Sequence, residues 1–332
     1  MATMRGWRTP GDGRLSVAEL AVPEPASGEV LIGVEACGVC RTDLHVVDGD
    51  LPARRSPVVP GHEIVGRVLA AYDHEVDGPR VGTRVGVPWL RSTCGRCRCC
   101  RTGAENLCEQ SRYTGWDVDG GYAEYAVAPA AYTYRIPDSL EPLQAAPLLC
   151  AGIIGYRALR RAALPPGGRL GLYGFGASAH LTAQIAIRQG AEVHVVTRGE
   201  SARRLALDLG AASAVEPGRA LPPLDSAIVF APAGEVVRDA LADLGAAGTC
   251  AVAGIHVSDI PPLDYQRHLF RERTLTSVTS NTRADGVELF RLAGQLGIHA
   301  EVTPYAMSEA DRALADLAAD RVRGVAVLDM TR

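Results

Sequence analysis

The chain contains no lysine; all 34 of its basic residues are arginine. Every mechanism that needs a lysine amine is thereby excluded. No Schiff base can form, so pyridoxal phosphate enzymes and lysine aldolases are ruled out. A phosphate-binding Walker loop and a kinase strand lysine are ruled out too. A basic excess is also missing: 34 basic residues face 38 acidic ones, for a net charge of -4 and a pI near 6.1. Nucleic acid is not an expected partner, because nothing here neutralises a phosphate backbone. Long apolar runs are absent. The longest, around Ala145 to Tyr156, is too short to span a bilayer. No apolar run follows Arg5 and Arg8, as it would in a signal peptide. The expectation is a cytoplasmic protein with no membrane contact, whose nine cysteines bind metal rather than form disulfides.

What is present is a globular composition, 47% hydrophobic and 22% charged, in 332 residues. That length suggests two domains. The first part reads as strand and loop. Val17 to Ala21, Glu29 to Glu35, Ile64 to Leu69 and Val81 to Val87 alternate in strand fashion between Pro and Gly. After Ala145, strands and amphipathic helices take turns. The strands are Arg169 to Tyr173, Glu192 to Val196, Ala227 to Phe230 and Thr249 to Ala253. The helices are Ala179 to Gln189, Ser201 to Leu209 and Val236 to Leu244. This alternation predicts an α/β, doubly wound parallel sheet. The tail adds helices over Gly286 to Leu296 and Glu309 to Arg321, then a strand at Val325 to Leu328.

Cys94, Cys97, Cys100 and Cys108 follow a C-x2-C-x2-C-x7-C spacing. Two-residue spacers let a turn aim two thiolates at one point, and four thiolates complete a zinc tetrahedron with no open position. Such a zinc is structural. Cys99 would break the regular spacing and is left out of the set. Three further residues, Cys40, His62 and Cys150, make a Cys2His set. That combination leaves a fourth position for water or substrate.

A glycine loop follows the strand Arg169 to Tyr173. Gly174-Phe-Gly176-Ala-Ser-Ala179 fits G-x-G-x-x-G/A and opens a helix, the context required of a dinucleotide fingerprint. At the end of the next strand an NAD enzyme usually places an acidic residue for the ribose diol. This chain has Thr197 there, followed by Arg198. A hydroxyl beside a guanidinium suits a 2′-phosphate, so the loop favours NADP over NAD.

Together these segments resemble the zinc-dependent medium-chain alcohol dehydrogenases, over essentially the whole chain. Gly61-His62-Glu63 is similar to that family's GHE motif, and the cysteine lobe to its structural zinc loop. The resemblance implies a GroES-like β-rich catalytic domain (1–150, zinc lobe 94–108), a Rossmann NAD(P)-binding domain (151–284) and a C-terminal return to the catalytic domain (285–332). It implies two zinc ions per chain. Cys40, His62 and Cys150 would hold the catalytic zinc, and Glu63 would act as a transient ligand. Asp43 would orient the ligand histidine. Thr42 would bond the substrate oxygen, and His45 would end a proton relay that runs through the cofactor ribose. Arg41 would reach the cofactor pyrophosphate. Gly254, Ile255 and Val278 would lie by the nicotinamide; Leu51, Trp89, Trp116 and Ile153 would line the substrate channel. His256 and Cys99 receive no role.

The implied activity is reversible hydride transfer between NAD(P) and a primary or secondary alcohol, or the corresponding carbonyl, in a homodimer or homotetramer. Two other readings are an enone or imine reductase that keeps zinc mainly for structure, and a non-catalytic zinc- or nucleotide-binding protein. Intact Cys40, His62 and Cys150 speak against both.

Overall fold

The computed structural model describes residues 2–52, 54–71 and 78–332. The chain forms two compact units. One comprises Met1–Cys150, Ser280–Gly294 and His299–Arg332; the other comprises Ala151–Thr279 and Gln295–Ile298.

The first unit is built on a seven-stranded sheet. Its strands run in the order Val302–Ala306, Val325–Asp329, Glu29–Val39, Ile64–Ala71, Arg84–Val87 and Tyr134–Arg135, and Tyr125–Pro129 also pairs with Glu29–Val39. Strand alternation puts Val30, Ile32, Val34 and Ala36 on the buried side of the long central strand. They pack with Ile64, Val68, Val85, Val87 and Leu328 in one apolar core. The last strand, Val325–Asp329, pairs antiparallel with Glu29–Val39, so the tail completes this unit's sheet.

The second unit is the parallel sheet that the alternating pattern predicts. Its six strands lie in the order Ser213–Val215, Glu192–Val196, Arg169–Tyr173, Leu224–Val229, Leu244–Val252 and Thr274–Ser277. Every pairing is parallel. Leu170, Leu172, Val193, Val195, Ala227 and Ile228 expose no more than 1% of their surface, as expected of strands covered on both faces. The order reverses between Arg169–Tyr173 and Leu224–Val229. The carboxyl ends of those strands mark the switch point where such sheets bind ligands.

Several boundaries differ from the sequence reading. The strand read from Val81 begins at Arg84, because Val81 is 61% exposed and Gly82 turns with φ +87. The strand read from Thr249 begins at Leu244 and runs through Ala247 at φ 60, an irregularity that periodicity does not register. The helix read as Glu309 to Arg321 spans Ala310–Ala318. The strands Ser213–Val215, Thr274–Ser277 and Val302–Ala306 are short or half-exposed and gave no pattern. Among the described residues no helix is long and apolar enough to cross a membrane.

Candidate functional site

Cys40 caps a two-turn helix, Arg41–Asp48, that ends at Gly49 in the left-handed region. Asp43 sits in the first turn and folds back: its Oδ2 accepts the Cys40 amide at 2.9 Å. His62 and Glu63 immediately precede the strand Ile64–Ala71. Gly61 has φ +97, which turns the chain so that His62 points inward. Cys150 lies between the single turn Ala146–Leu149 and the helix Ala151–Arg161.

These segments bring Cys40, His62, Glu63 and Cys150 together, with one ligand atom from each and all of those atoms within 4.8 Å of one another. The Cys40 and Cys150 sulfurs are 3.9 Å apart. A tetrahedral zinc with Zn–S near ~2.3 Å places two sulfurs about 3.8 Å apart. His62 Nδ1 bonds Asp43 Oδ1 at 3.0 Å, which leaves Nε2 free for a metal. His62 Nε2 and Glu63 Oε2 are buried without a hydrogen-bond partner. A cation is the partner such a donor set fits. Gly38 makes room for the carboxylate: a side chain there would stand 1.9 Å from Glu63 Oε2.

The electrostatics follow from crowding. The bond from the Cys150 thiol holds Cys40 well below the ordinary thiol range, and the Cys40 thiolate in turn pushes Cys150 well above it. Burial, then the Cys40 charge, pushes Glu63 well above the carboxylate range. Burial lowers His62, but the Asp43 charge, the bond to Asp43 and the neighbouring Cys40 together outweigh it and raise the imidazole well above its ordinary value. The cluster crowds acidic groups whose charges oppose one another, a conflict that a divalent cation would relieve.

Cys94, Cys97, Cys100 and Cys108 form the second group, again with donor atoms within 4.8 Å. The Cys97 and Cys100 sulfurs are 3.5 Å apart, and those of Cys94 and Cys100 are 3.9 Å apart. Backbone N–H groups of Arg96 and Cys97 pull Cys94 down to about 6, favouring the thiolate form that zinc binds. Cys99 is not in this group. All nine cysteines are free thiols.

Thr42 Oγ1 lies 3.8 Å from the Cys40 sulfur, where its hydroxyl faces the thiolate. His45 Nδ1 bonds Asp50 Oδ2 at 2.8 Å, a partner the sequence did not reveal. Arg41 forms an ion pair with Asp320. Trp89 meets His62 edge-on with centroids 4.9 Å apart, and stacks on both Trp116 and Tyr113. Leu51 is half-buried, and its amide donates to His45 O. Sequence reasoning missed Tyr113 and Tyr122; Tyr122 is fully buried with its hydroxyl on Asp43 Oδ2. The flanking glycines Gly120 and Gly121 were the available signal, since paired glycines mark a close backbone approach.

In the second unit, Gly174 has φ +88, and Gly176 begins the helix Ala177–Arg188 with nothing within 4 Å of where a side chain would stand. That open backbone at a helix N-terminus fits a pyrophosphate. Ala179 is fully buried, keeping helix and sheet close. Thr197 is half-buried and Arg198 exposed; Glu200 pairs with Arg204 at 3.5 Å. Gly254 and Val278 are half-buried, and Ile255 is 71% exposed. Ile153 is fully buried in the helix Ala151–Arg161, with no surface to offer a substrate.

Residues 26–138 match the alcohol dehydrogenase GroES-like domain. The chain is 56% identical to a protein named probable alcohol dehydrogenase AdhA from Mycobacterium tuberculosis, over 98% of this chain and 97% of that one. Its fold matches the cobalt- and zinc-bound thermostable alcohol dehydrogenase of Pyrobaculum aerophilum with a TM-score of 0.88, at 29% identity, covering 99% and 100% of the two chains. It also matches acetophenone reductase from Geotrichum candidum in complex with NAD, with a TM-score of 0.86 at 28% identity, covering 98% and 97%.

Proposed function

This chain belongs to the zinc-dependent medium-chain alcohol dehydrogenase family, and from that premise we propose which residues carry the activity and which dinucleotide they prefer. The enzyme is an NAD(P)-dependent alcohol dehydrogenase acting on small-molecule alcohols. Cys40, His62 and Cys150 hold the catalytic zinc, with Glu63 as an exchangeable fourth donor. The observation that carries this is the convergence of four donor atoms within 4.8 Å, two of them buried and unpartnered. An enone or imine reductase that keeps zinc mainly for structure leaves that convergence without a clear purpose.

When bound, zinc supplies Lewis acidity toward the substrate hydroxyl and the dinucleotide supplies the hydride acceptor. The chain's residues do the rest. Asp43 keeps the proton on His62 Nδ1 and so presents the Nε2 lone pair. Thr42 holds its hydroxyl beside Cys40, placed to receive the substrate proton. His45, bonded at Nδ1 to Asp50, is the base that would take that proton by way of the cofactor ribose and pass it to water. Trp89 shields one side of His62 from water. Cys94, Cys97, Cys100 and Cys108 hold the second, structural zinc. The catalytic part comprises Met1–Cys150, Ser280–Gly294 and His299–Arg332, and the dinucleotide part Ala151–Thr279 with Gln295–Ile298, so the bound read at 284 moves to 279 and residues 295–298 leave the C-terminal return. Arg41, paired with Asp320 in this structure, would offer its guanidinium to the cofactor pyrophosphate.

Thr197 and Arg198 favour NADP. Arg198 is exposed and Glu200 pairs with Arg204 at 3.5 Å; the competing arrangement has Arg198 in solvent and Glu200 on the ribose diol. Arg198→Ala is expected to raise KM for NADP about tenfold while leaving KM for NAD within twofold. A wild type that strongly prefers NAD contradicts this reading. Exposed Ile260, Tyr265 and Phe270 in the second unit support a homodimer or homotetramer, which light scattering tests. Cysteines grouped for metal binding rather than joined in disulfides support a reducing cytoplasm.

A further inference from the structure

We propose that Tyr122 is a positioning residue for the catalytic metal, acting through Asp43 to set the spacing between the segments that carry Cys40 and His62. The proposal rests on the ligand assignment above. Asp43 is 1% exposed and takes four donors. Oδ1 accepts from Gly61 N at 3.2 Å and from His62 Nδ1 at 3.0 Å. Oδ2 accepts from Cys40 N at 2.9 Å and from the Tyr122 hydroxyl at 3.1 Å. One carboxylate therefore ties the cap of the Cys40 helix to the loop of His62.

Tyr122 is fastened to that same loop by its backbone. Gly120 N donates to Val59 O, Gly121 N to Gly61 O and Tyr122 N to Pro60 O, at 2.7, 2.9 and 3.0 Å. Its ring wedges against the loop: a side chain at Gly61 would stand 2.4 Å from Tyr122 Cδ1. The hydroxyl then crosses to the carboxylate of the helix that begins at Cys40. Tyr122 thus belongs to the His62 segment by its backbone and to the Cys40 segment by its hydroxyl. Because Asp43 is buried, no solvent replaces that donor when it is removed. Loss of it leaves Oδ2 under-coordinated and frees Asp43 to rotate away from His62. Partners of ligating histidines are worth 10–100-fold in metal affinity; one neutral donor of four belongs at the lower end.

The test is zinc release from holoenzyme to a chromophoric chelator, in wild type and Tyr122→Phe, with a Co2+-substituted sample for the visible spectrum. Two release phases are expected, and Tyr122→Phe should make one about tenfold faster and shift the cobalt bands, leaving the other phase unchanged. In an Asp43→Asn background, Tyr122→Phe should add less than twofold, since the hydroxyl then has no carboxylate to hold. Unchanged release, equal acceleration of both phases, or full additivity with Asp43→Asn overturns the proposal. A wild type with only one phase contradicts the two-zinc reading, and the proposal then stands or falls on whether Tyr122→Phe accelerates that phase.

Discussion

At Gly61 the backbone takes φ +97 with a tyrosine ring where a side chain would go. Gly61→Ala combines a strained left-handed angle with a clash against Tyr122, costing about 2–4 kcal/mol. Urea unfolding should show this as a lower midpoint, and the variant should also retain less zinc, since the same turn aims His62. A stability within 0.5 kcal/mol of wild type would mean that the loop relaxes freely. Single residues also show what a sequence conveys. Cys40, His62 and Cys150 stood out as a Cys2His set within motifs that resemble a known family, and the structure brings their donor atoms within 4.8 Å. Tyr122 and Asp50 did not stand out, because an ordinary tyrosine or aspartate becomes notable only when the fold brings it to Asp43 or His45. Arg41 was read as a cofactor contact, but in this structure its guanidinium is engaged by Asp320.

Between elements, the cysteine lobe is secured twice. The four-thiolate group closes it from within. Glu105, beside Cys108, anchors it to the start of the helix Arg283–Leu296 through Arg283, whose Nη2 lies 2.7 Å from Glu105 Oε2 and whose guanidinium covers Tyr132. Cys97→Ser should remove one zinc equivalent and lower the melting temperature, because structural zinc contributes on the order of ten kcal/mol of apparent binding energy at pH 7. Unchanged metal content and melting would exclude a structural zinc. The Glu105 anchor has a pH signature. Burial raises this carboxyl, but the bonds from Arg283 outweigh it and hold Glu105 below its ordinary value. Stability from a lowered carboxyl is present above the unfolded value, about 4.3, and is lost as pH falls through the lower folded value. Arg283→Ala should therefore cost about 1 kcal/mol at pH 7, discounted because the guanidinium is 43% exposed, and less once pH has fallen through the folded value of Glu105. A cost independent of pH would assign the loss to packing on Tyr132. Elements with strong periodicity, such as Arg169–Tyr173 and Glu192–Val196, stood at the bounds read from sequence. The short strands Ser213–Val215 and Thr274–Ser277 owe their form to neighbouring strands, and their own residues carry no alternation to read.

For the whole molecule, the chain's order of patterns already separated a β-rich part from an alternating one, and the structure's two units divide within a few residues of that change, at Cys150 and Ala151. The resemblance implied that the tail returns to the first part, but the strand Val302–Ala306 and the pairing of Val325–Asp329 with Glu29–Val39 were not legible, because contacts across some 300 residues set that pairing. The central claim is that Cys40, His62 and Cys150 hold a zinc on which alcohol oxidation depends, while the dinucleotide loop at Gly174 and Gly176 works independently of it. Its most direct test is Cys40→Ala, with metal content, dinucleotide titration and alcohol turnover measured on one preparation. The account predicts about one zinc per chain, dinucleotide affinity within threefold of wild type, and turnover lower by at least about a thousandfold, because an alcohol without a Lewis acid does not lose its proton at neutral pH. A Cys40→Ala enzyme that retains both zinc equivalents, or that turns over alcohol at a near wild-type rate, would contradict it.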